Sequence, residues 1–235
     1  MNLNADNQMW RGAKARKRFK GQRRQQVGPG KFPASWFESM RTRQVLTDRS
    51  EVIGEADWIP EVEQHCVKKL DWLHTSPEDC AVLLEAAQKG VDWNNQYGPP
   101  GMYIDIQYIH DVAPEYHAVI ERQHQKIVDR VGDIARGDPP NISRIKANGC
   151  MQPHRDTPLR WCVLYLPLPF PGQVYAPTEH LWEDSIYGIH DFEPGQWLIF
   201  NQDIWHAANN FTNQDRFTLQ LVLDTSYENF VDQHT

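Results

Sequence analysis

The sequence predicts a mainly β fold with flanking helices, and three observations lead to this class. Beyond residue 140, five short runs rich in apolar residues, many of them β-branched or aromatic, are separated by clusters of Pro, Gly, Asn and Asp; they cover residues 142–147, 161–168, 187–192, 196–200 and 217–224. Short strands at this spacing are typical of a sandwich or barrel. Two helical patterns precede them, and 235 residues provide for one core of this size with flanking elements. We therefore expect one folded unit.

The first 31 residues differ from the rest in charge. They hold nine Lys or Arg and one acid, Asp6, although the whole chain carries a formal charge of -7. A basic segment with few apolar residues cannot bury enough surface to offset the entropy lost on ordering, so residues 1–31 are predicted to be a flexible arm. Two interpretations stay open: a solvated tail without function, or an arm that binds nucleic acid or an acidic partner more weakly as salt rises.

Residues 32–140 are predicted to form a helical supporting segment, although residues 32–60 show no clear pattern. A first helix begins at Ser76 as the N-cap, with Pro77 in the first helical position and an acid three residues after the cap. The alternation over residues 102–109 predicts a strand. A second helix is predicted from Pro114 to about residue 137.

The cysteines and the hydropathy indicate the cellular compartment in which the protein is expected. Cys66, Cys80, Cys150 and Cys162 show no close pairing, and a chain of this length does not need disulfides, so reduced thiols are expected. No apolar run approaches the roughly 20 residues that span a bilayer, and the N-terminus lacks a secretion signal. We expect a cytoplasmic protein without a membrane partner; an organelle transit peptide is the alternative for the Arg-rich start.

His154 and Asp156 are separated by one residue. In extended backbone, positions i and i+2 project to the same side, so this imidazole and this carboxylate can converge on one point. Such a pair is weak evidence by itself, because it also occurs in surface turns.

A second histidine, His206, lies 52 residues after His154 and follows a Pro-Gly turn and an apolar strand. The residues between them can hold about four strands, enough to return beside the first pair. Two imidazoles and one carboxylate are the ligand set of non-haem iron(II) oxygenases. Zinc hydrolases use the same set, so the triad alone leaves the metal open.

Arg216 follows His206 by ten residues and begins a predicted strand on which Thr218 shares its face. A guanidinium suits a carboxylate because it forms two parallel charge-assisted hydrogen bonds, and a neighbouring hydroxyl can donate one more. The alternative for Arg216 is a surface salt bridge on an edge strand.

The combined pattern begins with His-x-Asp and continues with Pro-Gly, a strand and a second His. It ends with an Arg ten residues after that His and a Thr two residues after the Arg. This pattern resembles the 2-oxoglutarate and iron(II)-dependent oxygenase superfamily. The tail from His206 through Asn209 and Asn210 to Arg216 is most similar to the aspartyl/asparaginyl hydroxylase branch. Members of that branch can lack the metal carboxylate that Asp156 supplies here. The resemblance covers about residues 142–225.

This resemblance implies a double-stranded β-helix (jelly roll, cupin-like) as the catalytic core over residues 141–225, within a single oxygenase domain over residues 32–235. It implies Fe(II), 2-oxoglutarate and O2 as cofactor and co-substrates. The implied iron ligands, and hence catalytic residues, are His154, Asp156 and His206. The implied residues for 2-oxoglutarate are Arg216 and Thr218.

The resemblance also implies the reaction, hydroxylation of a C–H bond in a protein side chain or an amino acid. A nucleic-acid-modifying oxygenase delivered by the basic arm is one alternative, and a non-catalytic jelly-roll metal-binding protein is another. Candidate residues for contacting a substrate protein or small molecule are Arg160, Asn209 and Trp205. A turn explains Arg160 or Asn209 equally well, and core packing is the alternative for the tryptophans.

Overall fold

The computed structural model describes residues 64–90, 106–109, 112–136, 140–147, 149–154, 162–173, 178–182, 185–188, 193–210 and 212–235. The predicted arm, the segment 32–60, Asp156 and Arg160 lie outside these ranges, so the domain boundaries stay predictions. Inside the strands, the backbone alone is described for His154, Trp205 and Asn209.

The described part contains ten strands and three α-helices. The strands are β1 (Val67–His74), β2 (Ile106–Ile109), β3 (Asn141–Ile145), β4 (Cys150–His154), β5 (Cys162–Leu168), β6 (Thr178–Trp182), β7 (Ser185–Gly188), β8 (Gln196–Asn201), β9 (Trp205–Asn209) and β10 (Arg216–Leu223). The helices are α1 (Pro77–Gln88), α2 (His117–Val131) and α3 (Tyr227–His234), and 3-10 turns over Pro114–Tyr116 and Gly132–Arg136 flank α2.

The strands form two sheets in which every pairing is antiparallel. The larger sheet has the order β1-β8-β5-β10-β3-β2, and the smaller has the order β4-β9-β6-β7. From β3 onward the chain crosses repeatedly between the sheets, with β6 and β7 the one consecutive pair of described strands within a sheet, and four strands, β5 to β8, separate β4 from β9 as the spacing predicts. This arrangement is the predicted double-stranded β-helix.

The central strands of the larger sheet, β5, β8 and β10, are mostly buried on both faces. Alternate side chains of β5, β8 and β10 pack with α1 and α2 in one apolar core, which includes Leu164, Trp197, Leu219, Leu83 and Ile127. The side chains between them, such as Tyr165, Phe200 and Thr218, are also buried but lie outside that core. Because side chains alternate along a strand, these residues line the opposite face, which looks toward the smaller sheet.

The helix ends follow local sequence signals. Ser76 caps α1, and its hydroxyl accepts a hydrogen bond from the backbone N–H of Asp79 at 3.2 Å. The second predicted helix is interrupted before its expected end, because Gly132 adopts a φ of 68° and a 3-10 turn continues to Arg136. None of the described helices is long and apolar enough to cross a membrane.

Three of the cysteines are free thiols in the described part of the chain: Cys66, Cys80 and Cys162. Burial raises the pKa of the Cys66 thiol to about 12. Burial, with the charge of Asp79, raises the pKa of the Cys80 thiol to about 11. Both groups are therefore protonated at neutral pH and weakly nucleophilic.

Candidate active site

His206 lies on the inner face of the smaller sheet, as the second residue of β9. The sequence predicts it at the far end of the strand that begins at Gln196, but that strand ends at Asn201 and a bend separates it from β9. The side chain is 1% exposed, and its Nδ1 lies 3.0 Å from the carbonyl oxygen of Ile204. Since a carbonyl only accepts, Nδ1 carries the proton, and Nε2 holds the lone pair with which an imidazole binds a metal.

His154 is the last residue of β4 and stands directly opposite His206 in the sheet. The register shifts between Met151 and His154, and this bulge places the two histidines in register. Directly paired residues of antiparallel strands point to the same face, with Cα atoms about 4.5–5.5 Å apart. The fold thus brings together two predicted residues that are far apart in sequence, while Asp156 lies outside the described residues.

Arg216 begins β10 in the interior of the larger sheet, between β3 and β5. It is 2% exposed, so the alternative of a surface salt bridge on an edge strand is wrong. Its Nη2 donates hydrogen bonds to the hydroxyl of Tyr165 and, at 3.3 Å, to Oγ1 of Thr178 on the smaller sheet. Thr218 is buried two residues further along the same face of β10, as predicted.

Sequence reasoning missed Tyr165 and Thr178 as neighbours of the arginine. Tyr165 occupies an alternate position in a strand that was predicted, and a polar hydroxyl in an apolar run was the available signal. Thr178 gave no signal, because the strand that carries it was not predicted. Together with Arg216 they place one guanidinium and two hydroxyl groups at a single buried point between the sheets.

A third histidine, His180 on β6, was also missed. It pairs directly with His206 in the sheet, so the positions of His154, His206 and His180 form one row across β4, β9 and β6. The His180 ring is 1% exposed, and its centroid lies 6.2 Å from that of His206 and 5.8 Å from that of Phe200. Among the described residues, neither of its ring nitrogens has a hydrogen-bond partner.

Burial governs the charge of His180. Burial lowers the pKa of His180 to about 3, the neighbouring titratable His206 adds to the shift, and the nearby backbone of Thr178 opposes it without forming a hydrogen bond of good geometry. The imidazole is therefore uncharged at neutral pH, with one nitrogen that can donate and one that can accept.

The other predicted site residues are placed only in part. Trp205 and Asn209 open and close β9, where they pair with Leu181 and Cys150, and Arg160 lies outside the described residues. Their roles toward substrate stay predictions. The described side chains by themselves form no cluster of three or more metal-binding groups, since the predicted set also needs Asp156 and the side chain of His154.

Solved structures show the same fold at low sequence identity. HygX from Streptomyces hygroscopicus, with nickel and 2-oxoglutarate bound, is similar with a TM-score of 0.50 and 9% identity over 73% of this chain and 89% of its own. A prolyl-4-hydroxylase from Pseudomonas putida has a TM-score of 0.43 and 15% identity over 70% of this chain and 95% of its own. The likeness to HygX confirms the predicted jelly-roll fold.

The sequence comparison gives the class and the family. Residues 109–225 match the model of the aspartyl/asparaginyl β-hydroxylase family, whereas no curated protein matches the chain. The protein is thus an oxygenase of the 2-oxoglutarate and iron(II)-dependent class, as predicted. Within that class, residues 109–225 belong to the aspartyl/asparaginyl β-hydroxylase family. The match begins at Ile109 and takes in helix α2, which the motif resemblance did not cover.

Proposed function

We propose that this chain is a dioxygenase that hydroxylates a C–H bond in a protein side chain or an amino acid, with iron bound by His154, Asp156 and His206. The observation that carries the proposal is the pairing of His154 with His206 on the smaller sheet, near the buried Arg216 of the larger one. The family supports the substrate class, because its members are described as aspartyl and asparaginyl hydroxylases.

The donor set fits iron(II). Two imidazoles and one carboxylate on one side of the metal leave the opposite positions open for a co-substrate and O2. The hydrogen bond from His206 Nδ1 to the carbonyl of Ile204 fixes the tautomer and the orientation of the ring before any metal binds. When bound, iron with 2-oxoglutarate and O2 supplies the oxidising chemistry.

Arg216 is the proposed anchor for the far carboxylate of 2-oxoglutarate. A planar guanidinium can form two parallel hydrogen bonds with a carboxylate, and burial strengthens them because water does not compete. The hydroxyl groups of Tyr165 and Thr178 hold the guanidinium from two strands, and Thr218 lies on the same face of β10. These contacts orient the anchor, so the co-substrate needs little rearrangement on binding.

The site also excludes water. His206 and Arg216 are almost completely buried, and the Phe200 ring lies 6.0 Å from that of His206. An apolar ring beside the metal-binding histidine lowers the local polarity and strengthens the electrostatic contacts around it. The role proposed for the protein is therefore to position the reacting C–H bond in a dry cavity.

An anaerobic binding experiment followed by turnover tests this function. Fe(II) and 2-oxoglutarate are added to the full chain without oxygen, and a visible charge-transfer band is expected. Air and candidate peptides containing Asp or Asn are then admitted, and succinate and hydroxylated peptide are measured. Absence of the band, together with absence of succinate for every substrate, would contradict the proposal and favour a non-catalytic metal-binding protein.

The nine basic residues before residue 32 support a second candidate, an oxygenase that modifies nucleic acid. Deletion of residues 1–31 tests it against the first. If the arm delivers the enzyme to nucleic acid, the deletion lowers polynucleotide binding and turnover on polynucleotide, and both effects decline as salt rises. Unchanged binding and turnover would refute the delivery role.

A further inference from the structure

His180 is a buried polar side chain that its surroundings do not satisfy. It is 1% exposed, and neither ring nitrogen has a hydrogen-bond partner among the described residues. Leaving such a group unpaired destabilises a protein, so an orphaned imidazole buried between the two sheets points to a partner that binds there. Its neighbours are the rings of Phe200 on the larger sheet and His206 on the smaller one, with centroids 5.8 and 6.2 Å away.

Strand β6 connects the two ends of the proposed co-substrate site. Thr178 and His180 are two residues apart, so their side chains share a face of the strand. Thr178 contacts the guanidinium of Arg216, and His180 stands beside His206. Two residues of extended strand cover roughly 6.5 Å. This length suits a five-carbon dicarboxylate lying along β6, with one end at Arg216 and the other at the metal.

The separation of the rings argues against His180 as a further metal ligand. Imidazoles that occupy adjacent positions of one octahedral metal, with bonds of about 2.1 Å, have ring centroids roughly 4.5 Å apart. The centroids of His180 and His206 are 6.2 Å apart. Opposite positions of one metal would allow roughly 6.5 Å, but only with the metal between His206 and His180, and His154 pairs with His206 from the other side. His180 is therefore placed for a hydrogen bond with a group that the metal binds.

We propose that His180 binds the carboxylate of 2-oxoglutarate that lies next to the metal, by donating one ring N–H to it. This inference rests on the proposed function. An imidazole N–H is such a donor, and a carboxylate oxygen is its natural acceptor. His180 is then a binding residue, and β6 holds the co-substrate at both ends through Thr178 with Arg216 and through His180.

Binding measurements on two variants test this role. His180→Leu removes the donor at similar size, and His180→Gln keeps an N–H donor. The probes are Fe(II) alone, 2-oxoglutarate followed by its charge-transfer band, and oxalate in competition with it, because oxalate has only the metal-chelating end. His180→Leu is expected to weaken 2-oxoglutarate and oxalate by the same factor of about tenfold or more, as for a hydrogen bond to a charged group. His180→Gln is expected to lose less.

Two further readouts separate binding from packing. Fe(II) affinity is expected to stay within about threefold of the parent protein, since no ligand to the metal is removed. The melting temperature of metal-free His180→Leu is expected to be unchanged or raised, because an unsatisfied buried group is replaced by an apolar one. The comparison variant is Arg216→Lys, which is expected to weaken 2-oxoglutarate and leave oxalate unchanged.

Each contrary result has a distinct meaning. A large loss of Fe(II) affinity in both variants would make His180 a metal ligand and overturn the proposal. Unchanged affinities for 2-oxoglutarate and oxalate would make it a packing residue, and a loss confined to 2-oxoglutarate would place it at the far carboxylate. If the parent protein itself binds no 2-oxoglutarate, the proposed function fails and this inference fails with it.

Discussion

The two sheets of the jelly roll differ in what their inward residues do. The larger sheet contributes long apolar strands, and every residue of β5 is buried, with alternate side chains packed against the helices. The smaller sheet has strands of four or five residues, and three of its positions in one row are histidines. The larger sheet thus supplies most of the stability, and the proposed site lies between the sheets.

This difference has a thermodynamic cause. Burying apolar side chains of β5, β8 and β10 drives folding in proportion to the area removed from water. Burying His180 contributes little to stability, because its ring nitrogens find no partner among the described residues. A site that must receive a metal and an anion is therefore supported by a separate core that does not depend on it.

Substitution of the proposed metal ligands should abolish turnover and leave the fold intact. His206→Ala, His154→Ala and Asp156→Ala should each lower succinate release by more than about 100-fold, since even residues that only support metal ligands cost 10–100-fold when removed. The free energy of unfolding of the metal-free protein should change little. Succinate release and urea denaturation are measured on the same preparations, with His74→Ala as control, an exposed histidine at the end of β1.

Normal succinate release from any one of the three ligand variants would remove that residue from the metal site. A collapse of stability in the same variant would instead contradict the separation of the two sheets. Either result is informative, because His74→Ala should leave both quantities unchanged.

A substitution beside the larger sheet should do the opposite and lower stability. Gly195 precedes β8 with a φ of 85°, and a Cβ there would overlap the carbonyl oxygen of Thr75. Gly195→Ala should therefore lower the free energy of unfolding by about 3 kcal/mol or more, through backbone strain and displacement of the link before α1. Urea denaturation of the metal-free protein measures the effect.

Gly172→Ala is the matched control for this prediction. Gly172 also has a positive φ, 74°, but nothing lies within 4 Å of the position of its Cβ. It should lose only about 1 kcal/mol, from the unfavourable backbone conformation alone. If both variants lost the same free energy of unfolding, the overlap with Thr75 would not contribute to the destabilisation.

The same contrast explains which strands the sequence predicted. Residues 162–168 and 216–223 were found because apolar side chains run through them, as expected of strands buried on both faces. β6 and β9 were missed because Thr178, His180 and His206 occupy inward positions where a purely structural strand would carry apolar residues. Polar residues at these inward positions thus removed the pattern on which strand prediction depends.

The candidate site shows the same limit. His154, His206 and Arg216 belong to a known spacing and were predicted from it, and the fold pairs the two histidines and buries the arginine. Strand register alone brings Tyr165 and Thr178 beside Arg216 and His180 beside His206, and the sequence does not specify that register. Register depends on bulges such as the one before His154, so such contacts require the structure.

Arg216 belongs to the larger sheet but faces the site, so Arg216→Lys tests how much this sheet contributes to binding of the co-substrate. Replacing a planar fork by a point charge should raise the half-saturation concentration for 2-oxoglutarate about tenfold and leave Fe(II) affinity unchanged. Arg144→Lys is the control, since Arg144 lies on the neighbouring strand and pairs with Asp215 at 3.7 Å. An unchanged half-saturation concentration in Arg216→Lys would remove this residue from the co-substrate site.

The smallest effect concerns the helical layer that covers the larger sheet. The Ser76 hydroxyl accepts a hydrogen bond from the Asp79 N–H at the start of α1, so Ser76→Ala should lower the free energy of unfolding by about 1 kcal/mol. Ser76→Asp keeps an acceptor and should retain most of that stability. Neither variant should change the affinity for 2-oxoglutarate, because α1 packs on the face of the sheet opposite the site. A change in that affinity would show that the outer core and the inner face are coupled through the larger sheet.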